Sequence, residues 1–315
     1  MGDGKTAGAF VAVLIAAFVV MNVLPAEGLV LACAQEAVLA LAAIAGVRFA
    51  CPRSLAFSKG KRCTEDVQRS RYLRHVGIAV VLVGAFAGAF TLVTWYFGAD
   101  GFAGELASAE APAGFEAVRR IASLLVVCVL TGVFEESFAR VLCIEALEGA
   151  LQLDAMQADT PQMGKARSDA DQASDLASRA MRALSSANQA ARTQSPTKRA
   201  VLLSALFFAL LHVGVPAAGV NDAMLLQSVL KFAQSLLFGL TMGVVYVRLR
   251  RLWPCVAIHA CFDVLYLGPQ TVLLGALPET YASGMPFDTV MLGATTVLLM
   301  LVAVVAWKER TKVAA

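Results

Sequence analysis

Long apolar runs separated by short polar stretches dominate this chain. Crossing the roughly 30 Å hydrocarbon core of a bilayer takes about 20 helical residues. Eight runs approach or reach that length, at 7–24, 29–47, 76–97, 121–143, 200–220, 225–247, 252–267 and 288–307. The seventh is the shortest because Gly268-Pro269 interrupts it, and we expect the apolar stretch 270–277 to lie at the membrane interface. The pattern predicts an all-α polytopic membrane protein with about eight transmembrane helices.

Composition favours the same class of protein. Hydrophobic residues make up 58% of the chain and charged residues 16%, and the mean hydropathy is +0.70. These values exclude an ordinary soluble domain. The seven cysteines include no C-x-x-C pair and fall mostly in predicted helices, so we expect buried small apolar side chains and no disulfide framework. The net charge of +3 is small, and no nucleic-acid partner is expected.

The distribution of basic residues predicts the orientation in the membrane. With eight helices, 22 of the 26 Lys and Arg residues fall on one side, in the loop 48–74, the segment 152–199, the turn 248–251 and the two ends. The positive-inside rule assigns that side to the cytoplasm. Both termini are therefore predicted to be cytoplasmic, in a multi-pass integral membrane protein that lies in the plasma membrane if it is bacterial.

The order of apolar and polar segments predicts three regions. Residues 1–116 form three transmembrane helices with a basic cytoplasmic loop, 117–268 form a core, and 269–315 form a last helix with a basic tail. The core is interrupted at about 152–199 by a cytoplasmic insertion rich in Ala, Ser, Gln and Asp. Because that segment has few Pro or Gly residues, an exposed helical hairpin is favoured over a disordered chain.

Two adjacent glutamates inside the fourth apolar run are the most informative polar residues. A carboxylate at bilayer depth is costly, so it normally faces a protein interior or a water-filled cavity and marks function. On a helix, Glu136 and Arg140 are four residues apart and can pair, whereas Glu135 lies about 100° round the axis. The spacing predicts that Glu136 is neutralised by Arg140 while Glu135 stays free for chemistry.

Two of the three histidines lie inside predicted spans. His212 follows Phe208 by one helical turn in the fifth run, and His259 precedes Asp263 by one turn in the seventh. At about 1.5 Å per residue, Glu135 and His212 lie roughly 20 Å from the predicted cytoplasmic face and His259 roughly 12 Å. These depths permit the groups to meet in one cavity, and the combination of carboxylates and histidines within spans favours a hydrolytic or ion-coupled site.

Three motifs in this order on separate helices resemble the CPBP intramembrane protease family. They are Glu135-Glu136-x-x-x-Arg140, Phe208-x-x-x-His212 and His259-x-x-x-Asp263. The family includes the CAAX prenyl endopeptidases and bacterial homologues linked to bacteriocin processing and immunity. The resemblance covers about 117–268 and suits the eight-helix layout. This chain departs from the pattern at Asp263, where the family usually has Asn.

The resemblance implies an endopeptidase that cleaves a membrane-anchored protein or peptide, prenylated or not. Its catalytic residues would be Glu135, Glu136, His212 and His259, with Arg140, Phe208 and Asp263 in support. Chemically, Glu135 near His212 suits a general base that activates water. His259 suits donation to the developing oxyanion, with Asp263 fixing its tautomer.

Two alternatives stay open from the sequence. Zinc is possible, because Glu135, His212 and His259 could supply three ligands, but the H-E-x-x-H motif is absent and we expect no cofactor. The second alternative is an ion-coupled transporter or a non-catalytic scaffold, because Glu36 and Lys231 add ionisable groups to the spans. The chain shows no internal symmetry of the kind that inverted-repeat transporters have, which favours the protease.

Overall fold

The computed structural model describes residues 3–24, 28–55, 64–98, 100–158, 196–213, 221–277 and 282–311. Most of these residues are helical, and none lies in a strand. The helices are α1 Asp3–Val23, α2 Leu29–Ala50, α3 Thr64–Phe97, α4 Gly114–Glu135, α5 Cys143–Ala158, α6 Pro196–Leu211, α7 Asp222–Leu249, α8 Leu252–Leu274 and α9 Pro286–Thr311. A π-helical segment, Glu136–Leu142, joins α4 to α5 without a break. Short helical turns occupy Pro52–Leu55, Asp100–Ala103 and Gly104–Leu106.

The prediction of an all-α polytopic membrane protein is confirmed. In the part of the chain described here, seven helices are long and apolar enough to cross a membrane. They are Gly4–Val23, Leu29–Ala50, Arg71–Phe97, Gly114–Leu153, Asp222–Leu249, Leu252–Leu274 and Pro286–Lys308. The fifth predicted run is α6, which has 16 residues and rises only about 24 Å. This shorter helix ends directly before His212.

Contacts between helix ends place the start of α1 beside the end of α2, and Tyr72 of α3 beside the end of α9. The Lys5 ammonium near the start of α1 lies 5.9 Å from the centre of the Phe49 ring, near the end of α2. Tyr72 of α3 donates a hydrogen bond to the carbonyl of Ala306, near the end of α9, at 3.4 Å. This arrangement agrees with the predicted alternation of helices. The assignment of the basic side to the cytoplasm stays a prediction.

The seventh predicted run was placed too short, because α8 continues through Pro269 to Leu274. Proline has no N–H, so the carbonyl of Leu265 loses its usual helical partner. Gly88 of α3 packs so closely against this carbonyl that a Cβ at residue 88 would collide with it. The neighbouring helix therefore covers the interruption, and α8 continues where the sequence alone predicted an interfacial piece.

The helices that flank the predicted core pack directly against it. α2 packs on α4, α3 packs on α8, and α9 packs on α7 and α3. The helix α5 extends to Ala158, beyond the predicted start of the insertion at 152. Residues 159–195, on which the helical-hairpin prediction falls, lie outside the described residues. The boundaries at 116 and 268 stay predictions.

Candidate active site

The two glutamates lie where α4 changes into the π-helical segment Glu136–Leu142. A π turn uses i→i+5 hydrogen bonds and occurs mostly as single turns inside α-helices, frequently at functional sites. All seven residues of the segment are buried, because α1, α2, α6, α7 and α8 all contact it. The sequence predicted a regular α-helix here, and this detail is corrected by the structure.

The predicted contact between Glu136 and Arg140 is present inside this segment. Arg140 Nε lies 3.4 Å from Glu136 Oε2, and both side chains are fully buried. The Arg140 guanidinium carbon also lies 4.3 Å from the centre of the Phe208 ring, a cation–π arrangement. Glu136 and Arg140 thus compensate each other's charge, with Phe208 covering the guanidinium.

His259 of α8 lies between the carboxylate of Glu136 on one side and those of Glu135 and Asp263 on the other. Its Nδ1 lies 2.8 Å from Glu136 Oε1, and because an ionised carboxylate only accepts, Nδ1 carries the proton of this bond. Its Nε2 faces Glu135 Oε2 at 3.5 Å and Asp263 Oδ2 at 3.4 Å. Asp263 was expected to fix the tautomer of His259, but the shorter contact, at 2.8 Å to Nδ1, comes from Glu136. Asp263 lies instead at the nitrogen that faces the cavity.

His212, one residue past α6, presents a single nitrogen to the same point. Its Nδ1 donates to the carbonyl of Phe208 at 2.8 Å, since a carbonyl oxygen can only accept. Its Nε2 lies 3.6 Å from Glu135 Oε2. The centres of the Phe208 and His212 rings are 4.2 Å apart, so Phe208 positions both this ring and the guanidinium of Arg140.

Glu135 is the residue at which α4, α6 and α8 converge. The same Oε2 atom faces His212 Nε2 and His259 Nε2. A cavity of about 110 Å³ lies beside it, lined in part by Glu135, His212, His259, Asp263 and Lys231. That volume has room for a few water molecules. The sequence-based depths permitted this convergence, and the structure brings the groups together.

Some residues around the cavity were missed as site residues by the sequence reasoning. Lys231 of α7 is only 9% exposed and donates to Gln234 Oε1 at 3.3 Å. Glu36 of α2 lies against Thr131 of α4, one turn before Glu135. Lys231 and Glu36 were noticed in the sequence only as relay residues of the transporter alternative. The signal that identifies them is an ionisable side chain within an apolar run; Gln234 and Thr131 carry no comparable signal.

The zinc alternative requires three ligands arranged about one point. Within the residues that the structure describes, no group of three or more His, Cys, Asp or Glu side chains is arranged to hold a metal ion. The expectation that the protein needs no cofactor stays a prediction.

A bundle of apolar helices that encloses carboxylates and histidines is typical of a polytopic membrane protein, and ionisable groups in such spans normally mark function. A family model described as Type II CAAX prenyl endopeptidase Rce1-like matches residues 117–265. This match supports the predicted resemblance to the CPBP protease family over that region. No curated protein matches the chain. All seven predicted site residues lie within the matched range.

Proposed function

We propose that this protein is an intramembrane endopeptidase in which Glu135 activates the water that attacks a peptide bond. The family match supports the reaction class. The observation that supports the residue roles is the convergence of His212 Nε2 and His259 Nε2 on Glu135 Oε2, at 3.6 and 3.5 Å. The three side chains come from helices far apart in sequence and share one cavity wall.

The first step of the proposed reaction is attack by water on the substrate carbonyl. Because His212 Nδ1 donates to Phe208, its Nε2 is the acceptor of the neutral ring. A water between Glu135 Oε2 and His212 Nε2 donates one hydrogen to each, which directs its lone pair towards the substrate. Glu135 takes the proton as the oxygen–carbon bond forms.

Stabilisation of the oxyanion falls to His259. The Glu136 carboxylate holds Nδ1 at 2.8 Å and so fixes the ring. With a proton on Nε2, the ring donates to the carbonyl oxygen as that oxygen gains charge. Glu135 then returns its proton to the leaving nitrogen and the C–N bond breaks, which gives an amine and a carboxylic acid; the acid then loses its remaining proton to solvent.

The proposed substrate is a membrane-associated protein or peptide. The family description names CAAX prenyl endopeptidases, so the preferred form is a C-terminal prenylated cysteine followed by three residues. A bacteriocin-related peptide is the second form. Membrane peptidomes of cells that carry the wild type or Glu135→Ala distinguish them: peptides ending at a prenylated cysteine support the first form, and unprenylated products support the second.

The proteolysis itself is tested with purified protein in liposomes and a fluorogenic prenylated peptide. We expect cleavage by the wild type and by Glu110→Gln, which changes an exposed carboxylate outside the site, and none by Glu135→Gln. An ion-coupled transporter predicts instead proton flux that depends on a pH gradient, without cleavage. Hydrolysis that is equal with and without a gradient supports the protease and contradicts the transporter.

A further inference from the structure

Two charged side chains line the cavity but enter none of the steps above. Lys231 of α7 is 9% exposed, and the side chain of Asp263 of α8 is 14% exposed. Both line the same cavity of about 110 Å³. An isolated charge at bilayer depth is costly, and such residues normally pair with one another. Opposite charges in so small a space lower the free-energy cost of burying each other.

Neighbouring contacts hold the Lys231 ammonium against the face of α8 that carries Asp263. Lys231 Nζ lies 6.0 Å from the centre of the Tyr266 ring, and Tyr266 is three residues after Asp263, on the same face of the helix. Gln234 joins the two helices, because it accepts from Lys231 at 3.3 Å and donates to the Tyr266 hydroxyl at 3.1 Å. The placement of the ammonium is therefore built into the packing of α7 on α8.

Asp263 has a contact that competes with the proposed reaction. Its Oδ2 lies 3.4 Å from His259 Nε2, the nitrogen that donates to the substrate carbonyl in the mechanism above. An ionised Asp263 without a compensating cation would hold the Nε2–H and reduce its donation to the oxyanion. A neutral amide at residue 263 would bind that N–H less strongly, because hydrogen bonds to charged groups are about twice as strong.

We propose that Lys231 is a positioning residue whose ammonium compensates the Asp263 carboxylate and keeps His259 Nε2 available to the substrate. This inference rests on the proposed function. It makes Lys231 necessary because residue 263 is an acid. If residue 263 is neutral, the requirement for Lys231 disappears.

A purely structural role for Lys231 makes a different prediction. Gln234 also donates to Thr295 Oγ1 of α9 at 2.6 Å, so Lys231 belongs to a polar network that ties α7, α8 and α9 together. If Lys231 only supported this network, its substitution would have the same effect whatever residue stands at 263. The two roles are therefore separated by changing both residues.

The test compares kcat and KM of Lys231→Met, Asp263→Asn and the double variant on the prenylated peptide in liposomes. We expect Lys231→Met to lower kcat about 10- to 100-fold with KM nearly unchanged, and Asp263→Asn to stay within about fivefold of the wild type. The double variant should recover to within about threefold of Asp263→Asn, because the two sites are coupled. Lys231→Arg keeps the charge and should keep most activity, and Lys5→Met, far from the cavity, is the matched control.

A double variant no more active than Lys231→Met would overturn the inference. If Lys231→Met does not fold, Lys231→Gln replaces it with the same expectation and the same overturning result. If even the wild type hydrolyses no peptide, the proposed function fails and thermal unfolding of the four purified proteins decides the pairing. A double variant more stable than the summed single effects supports the charge pair, and additive losses overturn it.

Discussion

Two clusters of charged side chains, one at the basic end of the bundle and one at its centre, use their hydrogen-bonding groups differently. We call the first the Arg250 clamp; it consists of Arg250, Glu145, Glu148 and Tyr246. Arg250 bonds both oxygens of Glu148 at 2.8 Å and Glu145 at 2.7 Å. Tyr246 donates to the same Glu145 oxygen at 2.7 Å. These polar contacts of the clamp are all hydrogen bonds of ordinary or short length.

The clamp has a clear structural purpose, because it stabilises a strained turn. Arg250 ends α7 with φ 50° and ψ 38°, a left-handed conformation that costs a non-glycine residue roughly 1–2 kcal/mol. Burial lowers the pKa of Arg250, but the hydrogen bonds and charges of Glu148 and Glu145 outweigh it and hold the pKa above its ordinary value. The arginine therefore stays charged and fixes the turn between α7 and α8.

The central cluster leaves several of its hydrogen-bonding groups without protein partners. Glu136 and Arg140 are 3.4 Å apart, and Glu135 lies 3.5–3.6 Å from two imidazoles. Among the described residues, Glu135 Oε2 and all three guanidinium nitrogens of Arg140 are buried without a hydrogen-bond partner. A cluster in which every polar group has a hydrogen-bond partner suits a structural role. Polar groups without protein partners beside a cavity suit a site that binds water and substrate.

The largest effect on activity other than that of Glu135 is expected from His259. Replacing it with alanine removes the donor to the oxyanion, which is worth about 10²–10³-fold in kcat. Rates of hydrolysis of the prenylated peptide measure the loss, and replacement of the exposed His75 of α3 by alanine is the control. A His259→Ala protein with wild-type kcat would remove the distinction between the two clusters.

Arg140→Met should have the largest effect on stability. It leaves Glu136 buried without a counter-charge, which typically costs about 3–5 kcal/mol. Thermal unfolding of the detergent-solubilised protein measures the loss, and the Arg140→Met/Glu136→Gln pair should restore part of it. If Arg140→Met unfolds like the wild type, the buried ion pair is not present in the membrane protein.

Arg250→Met should cost less, because the Arg250 side chain is 41% exposed and the remaining carboxylates can reach water. We expect a loss of about 1–3 kcal/mol in unfolding free energy for its charged hydrogen bonds. The kcat of the folded fraction should stay unchanged. A selective loss of kcat at full stability would mean that the clamp takes part in function and would break the comparison.

The smallest effect is expected from metal removal. Since the described residues contain no three-ligand group for a metal, dialysis against a chelator should leave kcat within about twofold of its starting value. Loss of activity with recovery on added zinc would support the zinc alternative, with Glu135 as a ligand instead of a base.

The sequence predicted those parts of the structure that depend on local spacing. Bilayer thickness imposes the eight apolar runs, and the contact of Glu136 with Arg140 follows from a four-residue separation. The length of α8 was not predictable, because its continuation past Pro269 depends on the close packing of Gly88 from another helix. The π turn likewise was not predicted, because the spacing of residues 136–142 gave no sign of it.

The sequence predicted which residues belong to the candidate site better than it predicted the contacts between them. Motif order and depth indicated Glu135, His212 and His259. The 2.8 Å contact of Glu136 with His259 depends on how α8 is rotated against the π segment, which no spacing along one helix reveals. Lys231 was visible as a charge in an apolar run, but its position beside Asp263 depends on the packing of α7.

The central claim is that Glu135 acts as the general base of the reaction and does not serve only to hold the helices together. Its most direct test is single-turnover hydrolysis by purified Glu135→Gln, an almost isosteric change, alongside its thermal unfolding and substrate binding. We expect a rate reduced at least about 10³-fold, with stability and peptide affinity close to those of the wild type. Wild-type hydrolysis by folded Glu135→Gln protein would contradict the account.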